Sequence, residues 1–252
     1  MRRRLTIAVF AVACLLIASG ASAAVVKVGD LVLRANGGFE PQALPHKAYA
    51  PIEFQGYFDV ASRSGGIPAA LQETVLEFDR QGRLTTRGLP TCSVGQIGEA
   101  TPQEARKTCN GSIVGTGHIA ATVALPGHPP VAATSPLTLF NGVPQNGNPT
   151  IVVQALMTVP ATQSLAVVVP IERLSGGPFG YRATIDLPPI AGGYGALTHV
   201  DVKIGRRYNF GGRRLSYISA RCGSGVFQTH GSFIFAGGTT ISGSVFEPCT
   251  AR

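Results

Sequence analysis

Residues 52–60 read IEFQGYFDV, and the apolar side chains Ile52, Phe54, Phe58 and Val60 recur at every second position, with Gly56 between them. Successive side chains of a β-strand point to opposite faces, so this period of two predicts a strand with one apolar and one polar face. An α-helix would repeat its apolar residues every three or four positions instead. The stretch therefore indicates a sheet that is buried on one side only.

The same alternation recurs at residues 181–187 and 200–204. Turn-forming residues separate the apolar runs, and pairs that contain glycine are typical of hairpin connections. The turn signals are DRQG at 79–82, NG at 141–142, GG at 211–212 and GG at 237–238. Further strands are predicted at 25–33, 73–78, 83–86, 111–124, 131–140, 151–159, 164–172, 213–221, 226–235 and 239–246. About a dozen strands without intervening helices predict an all-β fold of antiparallel sheets, either an antiparallel β-sandwich or a partly closed barrel.

One short helix is predicted at residues 102–108. Thr101, Pro102 and Glu104 form a capping box, in which threonine is the N-cap, proline takes the first helical position and glutamate the third. We expect a single sandwich-like domain over residues 24–252. The alternative is a subdomain boundary near residues 88–110, where the sequence GLPTC precedes the capped helix.

The first 23 residues have the three parts of a secretory signal peptide: arginines at 2–4, an apolar run at 5–17, and the small residues Ala21 and Ala23 around Ser22. We therefore expect an exported protein, secreted or held in the cell envelope. A lipoprotein anchored at Cys14 is the alternative, but the residues before Cys14 form a poor lipobox. The later apolar stretch 151–171 is broken by Pro160 and Pro170, which favours two buried strands over a membrane span.

Composition limits the classes of partner. Without the three arginines at 2–4, the chain has 18 basic and 13 acidic residues. This mild excess of positive charge makes nucleic acid an unlikely partner. Charged residues make up 13% of the chain against roughly 25% in an average domain. This is the opposite of a disordered chain, which combines few apolar residues with many charges.

Cysteine number and spacing indicate disulfides. Removal of the signal peptide leaves Cys92, Cys109, Cys222 and Cys249, an even number in an exported chain. Four cysteines allow three pairings, of which we favour Cys92–Cys109 and Cys222–Cys249, because the capped helix could bring Cys109 back towards Cys92. No Cys-x-x-Cys occurs and no histidine lies close in sequence, so we expect neither a metal site nor a redox pair, and no cofactor.

A resemblance rests on motifs spread over most of the chain after residue 23. They are LEFDRQGRL at 76–84, GLPTC at 88–92, Cys109, VGTG at 114–117, FNG at 140–142, GY at 180–181, IDLP at 185–188, ARC at 220–222 and PC at 248–249. In this order they are similar to a family of uncharacterised secreted, disulfide-containing proteins of high-GC Gram-positive bacteria. The resemblance implies export, disulfides and β structure, and it implies no particular chemistry.

Signatures of catalysis are absent from the sequence: it has no G-x-S-x-G, H-E-x-x-H, Walker loop or S-x-x-K. His199 and Asp201 would share one face of a strand, which suits a metal site or a base with its orienting carboxylate, but an exposed polar edge is the favoured interpretation. Glu73, Glu77 and Asp79 would also share a face; a glycosidase-like pair is conceivable, and a solvated strand face is favoured. We therefore expect a protein that is not an enzyme.

The most promising binding segment is RRYNFGGRRLSY at 206–217, in which Arg206, Arg207, Arg213 and Arg214 could hold an anionic polymer. A turn at 211–212 would pair Phe210 with Arg213, and it would divide the arginines between the two faces of a hairpin. We expect a non-catalytic envelope or extracellular protein that binds a cell-wall or other anionic polymer. The alternatives are a hydrolase whose site is assembled from distant residues and a structural surface protein that acts through protein contacts.

Overall fold

The computed structural model describes residues 23–252. The predicted signal peptide lies outside the described residues, apart from Ala23. The described part of the chain forms nineteen strands and two short α-helices. The strands, in chain order, are β1 (Ala24–Val28), β2 (Leu31–Glu40), β3 (Ala43–Leu44), β4 (Ala50–Pro51), β5 (Glu53–Ser62), β6 (Leu71–Asp79), β7 (Gly82–Leu84), β8 (Ile113–Val123), β9 (Val131–Asn141), β10 (Thr150–Met157), β11 (Gln163–Arg173), β12 (Phe179–Asp186), β13 (Gly195–Ile204), β14 (Arg207–Phe210), β15 (Arg213–Ser216), β16 (Ile218–Ala220), β17 (Val226–Phe235), β18 (Thr240–Pro248) and β19 (Thr250–Ala251).

Twelve of these strands form one sheet, in the order β1-β2-β5-β13-β8-β9-β10-β11-β12-β6-β17-β18. Every neighbouring pair in this sheet is antiparallel. The first and last strands, β1 and β18, lie in contact, so the sheet curls into a nearly closed, barrel-like shape. The all-β prediction is confirmed, and the sheet takes the partly closed barrel form that we expected as the alternative to a sandwich.

The barrel closes imperfectly along one line, which we call the seam: the boundary between β18 on one side and β1 with β2 on the other. β1 pairs only with residues 31–35 of β2, so residues 36–40 of β2 extend beyond it and lie near β18. Just after β2, the side-chain Nε2 of Gln42 donates a 2.6 Å hydrogen bond to Oε1 of Glu247 on β18. A side-chain contact thus takes the place of a strand ladder at this part of the seam.

Alternating side chains of the twelve strands point into the barrel, as the period of two predicts. The ring of Phe58 packs edge-on against Phe233 at 5.1 Å between centroids, and Phe54 packs in the same way against Phe78 at 5.6 Å. Leu33, like most apolar residues on the inner face, belongs to one continuous core. The interior is therefore lined by aliphatic and aromatic groups contributed from all around the sheet.

The two helices lie outside the barrel, where the first contacts β11 and the second contacts β9 and β10. They are α1 (Val94–Ile97) and α2 (Pro102–Thr108), and the second has the predicted bounds and the predicted capping box between Thr101 and Glu104. The Cys92–Cys109 disulfide ties this segment together over a buried cluster with Phe140 and Val152. Strands from before and after residues 88–110 alternate within the same twelve-stranded sheet.

Smaller elements cover one end of the barrel. β4, β16 and β7 form a three-stranded sheet, and β3 pairs with β19 in parallel. The Cys222–Cys249 disulfide lies here, in a buried cluster with Phe39 and Phe227, whose ring centroids are 4.5 Å apart. The structure thus contains both disulfides in the pairing that we favoured, and each one fixes an element that lies outside the main sheet.

The hairpin of β14 and β15 has the predicted register, with Phe210 opposite Arg213 and positive φ angles at Gly211 and Gly212. Its Phe210 ring rests on Gly88, where φ is +82° and an added Cβ would lie 2.2 Å from Cγ of the ring. Only glycine fits this contact, since both the backbone conformation and the space exclude a side chain.

The predicted turn at Asn141-Gly142 is wrong. Asn141 is buried at the end of β9, where its Nδ2 donates a 2.9 Å hydrogen bond to the carbonyl of Pro90. The turn that precedes β10 falls at Asn146-Gly147, and both residues have positive φ. The two Asn-Gly pairs begin five residues apart in sequence, and the hydrogen bond of Asn141 to Pro90 keeps the first of them extended.

Candidate binding cavity and its mouth

The barrel encloses a cavity of about 380 Å³. Its wall is formed by inward-facing side chains of the main strands and by residues of the end that the small sheets cover. Representative wall residues are Leu33, Phe58, Leu76, Leu139, Val153, Val167, Ile185, Val200, Val202, Phe233 and Val245. Nearly all of them are aliphatic or aromatic, so the cavity offers an apolar environment.

Many of the wall residues are only half-buried although they point inwards. Val153, Val167, Val200 and Val202 pack against the core and also line the cavity. Part of their apolar surface therefore faces the cavity instead of a packed neighbour. Protein interiors are normally packed as densely as organic crystals, whereas small-molecule sites measure roughly 300–1,000 Å³. The interior of this barrel has the size and composition of a ligand site.

Several polar side chains interrupt the apolar wall, and three of them are deeply buried: Thr74, Tyr217 and Glu247. Each is at least nine-tenths buried. Thr74 Oγ1, the Tyr217 hydroxyl and Glu247 Oε2 make no hydrogen bond with any residue between 23 and 252. A buried polar atom without a partner costs roughly 1–3 kcal/mol, so three in one wall form an unusual and costly arrangement.

Tyr217 is fully buried at the covered end of the barrel. Burial raises the pKa of its phenol, because the charged phenolate would lose its hydration. The group therefore stays protonated and keeps a hydrogen to donate. Tyr208 is a useful contrast, since its hydroxyl donates to the carbonyl oxygens of Arg87 at 2.9 Å and Thr85 at 3.2 Å.

An open polar pocket adjoins the cavity at the seam; we call it the mouth. Four residues line both spaces: Gly38, Phe39, Ile52 and Glu247. The remainder of the mouth is formed mostly by polar and charged residues: Glu40, Gln42, Glu53, Gln55, Arg206 and Arg207, together with Pro41 and Gly205. A molecule that moves between solvent and the cavity by this route passes between the four shared residues.

The four predicted anion-binding arginines do not form one patch. Arg206 and Arg207 line the mouth, whereas Arg213 and Arg214 lie beyond the turn and do not. Arg206 is also occupied structurally, because its Nη1 donates a 2.7 Å hydrogen bond to the carbonyl of Ile113. The other three are exposed. The hairpin divides its charge between two faces, as its register predicts.

The outer face of the sheet carries a histidine–aspartate cluster. His199 Nδ1 lies 2.7 Å from Oδ1 of Asp59 on the neighbouring strand, and its Nε2 lies 3.3 Å from Oδ2 of Asp201. Nδ1 of His118 is 3.2 Å from the same Asp201 oxygen. The sequence placed His199 and Asp201 on one face, and register adds Asp59 and His118, which sequence reasoning missed.

The chemistry of this cluster is that of a surface ion-pair network. The hydrogen bond to Asp59 raises the pKa of His199; burial acts in the opposite direction, and Asp201 raises it further. An imidazole held between two carboxylates favours its charged form and is poorly suited to act as a base. Between residues 23 and 252, no group of three or more His, Cys, Asp and Glu side chains has a geometry that could hold a metal ion.

Two of the three acidic residues of β6, Glu77 and Asp79, perform structural roles. Glu77 accepts hydrogen bonds of 2.8 and 3.0 Å from the guanidinium of Arg182 on β12. Asp79 accepts from the backbone N–H groups of Gln81 at 2.8 Å and Gln228 at 3.1 Å. These contacts fix the turn after β6 and its pairing with β17.

No protein-family model, no curated protein and no solved structure matches this chain. The described residues contain no helix of the length and apolar character that a membrane crossing requires.

Sequence reasoning did not find the cavity or its polar groups. Glu247 was one residue beyond the predicted strand 239–246, yet it shares its face with Ile241 and Val245. The sequence offers one signal for Glu247: a carboxylate stands at a position where the alternation along β18 calls for an apolar, inward-facing residue. Tyr217 carried no comparable signal, because its burial comes from the small strands that cover the barrel end.

Proposed function

We propose that this protein is a secreted, non-catalytic binding protein that holds an apolar or amphipathic small molecule inside its barrel. The observation that carries the proposal is the cavity of about 380 Å³ with its aliphatic and aromatic wall. Burial of apolar ligand surface against such a wall contributes roughly 25 cal/mol per Å² before the costs of association. The mouth gives such a ligand a polar environment for its head group.

Two features support export. The disulfides Cys92–Cys109 and Cys222–Cys249 are typical of proteins that fold in an oxidising compartment. The predicted signal peptide at residues 1–23 agrees with export. The resemblance to secreted proteins of high-GC Gram-positive bacteria also agrees with it, and this resemblance stays a prediction.

The composition of the wall supports a binding role over a catalytic one. No histidine or cysteine is among the described residues that line the cavity. The histidines that do have carboxylate partners lie on the outer face. The anionic-polymer hypothesis also stays a prediction, and it is weakened by the division of the arginines between two faces of the hairpin.

The experiment uses chain 24–252 and 1-aminoanthracene, a neutral apolar probe whose fluorescence rises in apolar surroundings. Ala35 lines the cavity on β2, whereas Ala61 is exposed on the outer face of the adjacent β5. We expect the probe to bind the wild type, to bind Ala61→Phe equally well, and to bind Ala35→Phe at least about tenfold more weakly, a loss of roughly 1.4 kcal/mol.

A second variant protects the test against misfolding. Gly243 also lines the cavity, and an added Cβ would lie 3.6 Å from Val26, an ordinary contact distance. Gly243→Leu should therefore fold and partly fill the cavity. Absence of probe binding to the wild type, or equal binding to the cavity-facing and outer-face variants, would overturn the proposal.

A further inference from the structure

The carboxyl group of Glu247 occupies the boundary between the cavity and the mouth, and it is one of four residues that line both spaces. It lies on β18 opposite Phe227 and reaches across the seam to β2. Its carboxyl group lies close to Gly38 of β2, since a Cβ added at Gly38 would be in ordinary contact with Oε1, at 3.4 Å. Its position places it beside any ligand that extends from the cavity into the mouth.

The two oxygens of this carboxyl group differ. Oε1 accepts the 2.6 Å hydrogen bond from Gln42, whereas Oε2 is buried and makes no hydrogen bond with the described residues. The whole residue is 8% exposed. A hydrogen-bond donor on a ligand can pair with this unpaired oxygen. A ligand that places a second acceptor next to it binds less favourably, because neither oxygen then has a donor.

We propose that Glu247 selects a single-chain amphiphile whose head group donates hydrogen bonds, an aliphatic primary amine or alcohol, over one that carries a carboxylate. This inference rests on the proposed function, because it names the head group of the molecule that the barrel holds. The chain lies against the apolar wall, and the head donates to Oε2 of Glu247 while Gln42 keeps Oε1 in place. A fatty acid would bring a carboxylate against this oxygen and leave both without a donor.

The experiment measures displacement of 1-aminoanthracene by three ligands with the same chain length: dodecylamine, dodecan-1-ol and dodecanoic acid, each kept below its solubility limit and below any concentration at which it aggregates. Dodecanol both donates and accepts hydrogen bonds, so it serves as the reference. For the wild type we expect the amine and the alcohol to bind at least about tenfold more tightly than the acid, the factor that a preference of roughly 1.4 kcal/mol produces.

The decisive variant is Glu247→Gln, which keeps the shape of the side chain and keeps an oxygen for Gln42. It replaces the unpaired acceptor by an N–H donor. The affinity for dodecanoic acid should therefore rise by about tenfold or more relative to the affinity for dodecylamine. Glu99→Gln is the matched control, since Glu99 is exposed and lines neither the cavity nor the mouth, and the same carboxylate-to-amide change is made. It should leave the order of the three ligands unchanged.

The outcomes separate this inference from the proposed function. If no ligand displaces the probe because the probe itself does not bind, the proposed function fails. If all three ligands bind the wild type equally, or if Glu247→Gln and Glu99→Gln change the order alike, the barrel binds amphiphiles but Glu247 does not select the head group. The wild-type comparison alone is sufficient to overturn the inference if Glu247→Gln does not fold.

Discussion

Gln42 and Glu247 are separated by 205 residues in sequence, yet their side chains are joined by a 2.6 Å hydrogen bond across the seam of the barrel. Gln42 is exposed, whereas Glu247 is buried. The bond thus ties the segment after β2 to the last strand of the main sheet, at the place where no strand ladder connects them. It also fixes one oxygen of the only acidic side chain that lines both the cavity and the mouth among the described residues.

Gln42→Ala should lower the free energy of unfolding by about 1–3 kcal/mol, because it leaves a buried carboxyl group without any hydrogen-bond donor. Urea unfolding measures this loss. Gln72→Ala is the control, since Gln72 is an exposed residue of β6 and should change stability by no more than about 0.5 kcal/mol. Equal effects of the two substitutions would show that the bond to Glu247 contributes nothing.

The buried Tyr217 and the half-buried Tyr208 should respond in opposite ways to the same substitution. Tyr217→Phe removes a hydroxyl that has no partner among the described residues, so stability should stay the same or rise. Tyr208→Phe removes the donor to Arg87 and Thr85 and should cost about 1 kcal/mol. Thermal or urea unfolding of both variants tests the pair. A larger loss for Tyr217→Phe would mean that its hydroxyl has a partner that stabilises the fold.

His199 should make stability depend on pH. Its pKa is raised in the folded state, chiefly by the hydrogen bond to Asp59. A raised pKa stabilises the fold fully below the pKa of the unfolded chain, near 6.5, and the contribution is lost as pH rises through the folded value. The side chain is 37% exposed, so solvent screening limits the effect to about 1 kcal/mol or less.

The measurement for this prediction compares wild type with His199→Gln at about pH 5.5 and at about pH 8.5. The wild type should be more stable than the variant at the lower pH, and the difference should shrink at the higher pH. His128→Gln serves as the control, because His128 is exposed on the loop between β8 and β9. A difference that grows with pH would contradict the assignment.

Both disulfides should stabilise the fold by constraining the unfolded chain. The half-cystines are 17 residues apart in Cys92–Cys109 and 27 apart in Cys222–Cys249. The chain-entropy model gives about 3 and about 3.5 kcal/mol for loops of these lengths. Replacement of each pair by alanine should lower the free energy of unfolding by these amounts in urea. Detection of free thiols in denatured, unreduced chain 24–252 would contradict the pairing.

The exposed arginines of the hairpin test the polymer hypothesis. We expect the triple substitution of Arg207, Arg213 and Arg214 by glutamine to reduce retention on an anionic wall polymer no more than substitution of Arg34, Arg80 and Arg252 does. The reason is that both variants lose three exposed positive charges, and the hairpin splits its own charges between two faces. A selectively larger loss for the hairpin variant would establish a polymer site there.

Local rules predicted much of the secondary structure. Strand 226–235 has the predicted bounds, and the helix at 102–108 begins where Thr101 and Glu104 placed it. The turn at Gly211-Gly212 also follows from local chemistry, since only glycine accepts positive φ at low cost in two successive positions. These features depend on residues close in sequence, and therefore the sequence shows them directly.

Other local signals were ambiguous or weak. Asn141-Gly142 and Asn146-Gly147 have the same turn chemistry, and only the second forms the turn. The predicted strand at 25–33 is divided into β1 and β2 by a turn at Gly29-Asp30, where Gly29 has positive φ. In both places contacts with distant strands decide between conformations that the local sequence permits.

The sequence by itself determined the period of two, the helix cap and the even set of cysteines, and with them an all-β fold held by two disulfides. Only the tertiary structure decided that the strands enclose a cavity and that Glu247 lies at its mouth. The alternation of apolar and polar residues along a strand shows which side chains share a face. The distance across the barrel depends instead on strand order and sheet curvature. These are set by strand pairings such as β5 with β13 and β6 with β17, between segments too far apart in sequence for any local pattern to connect.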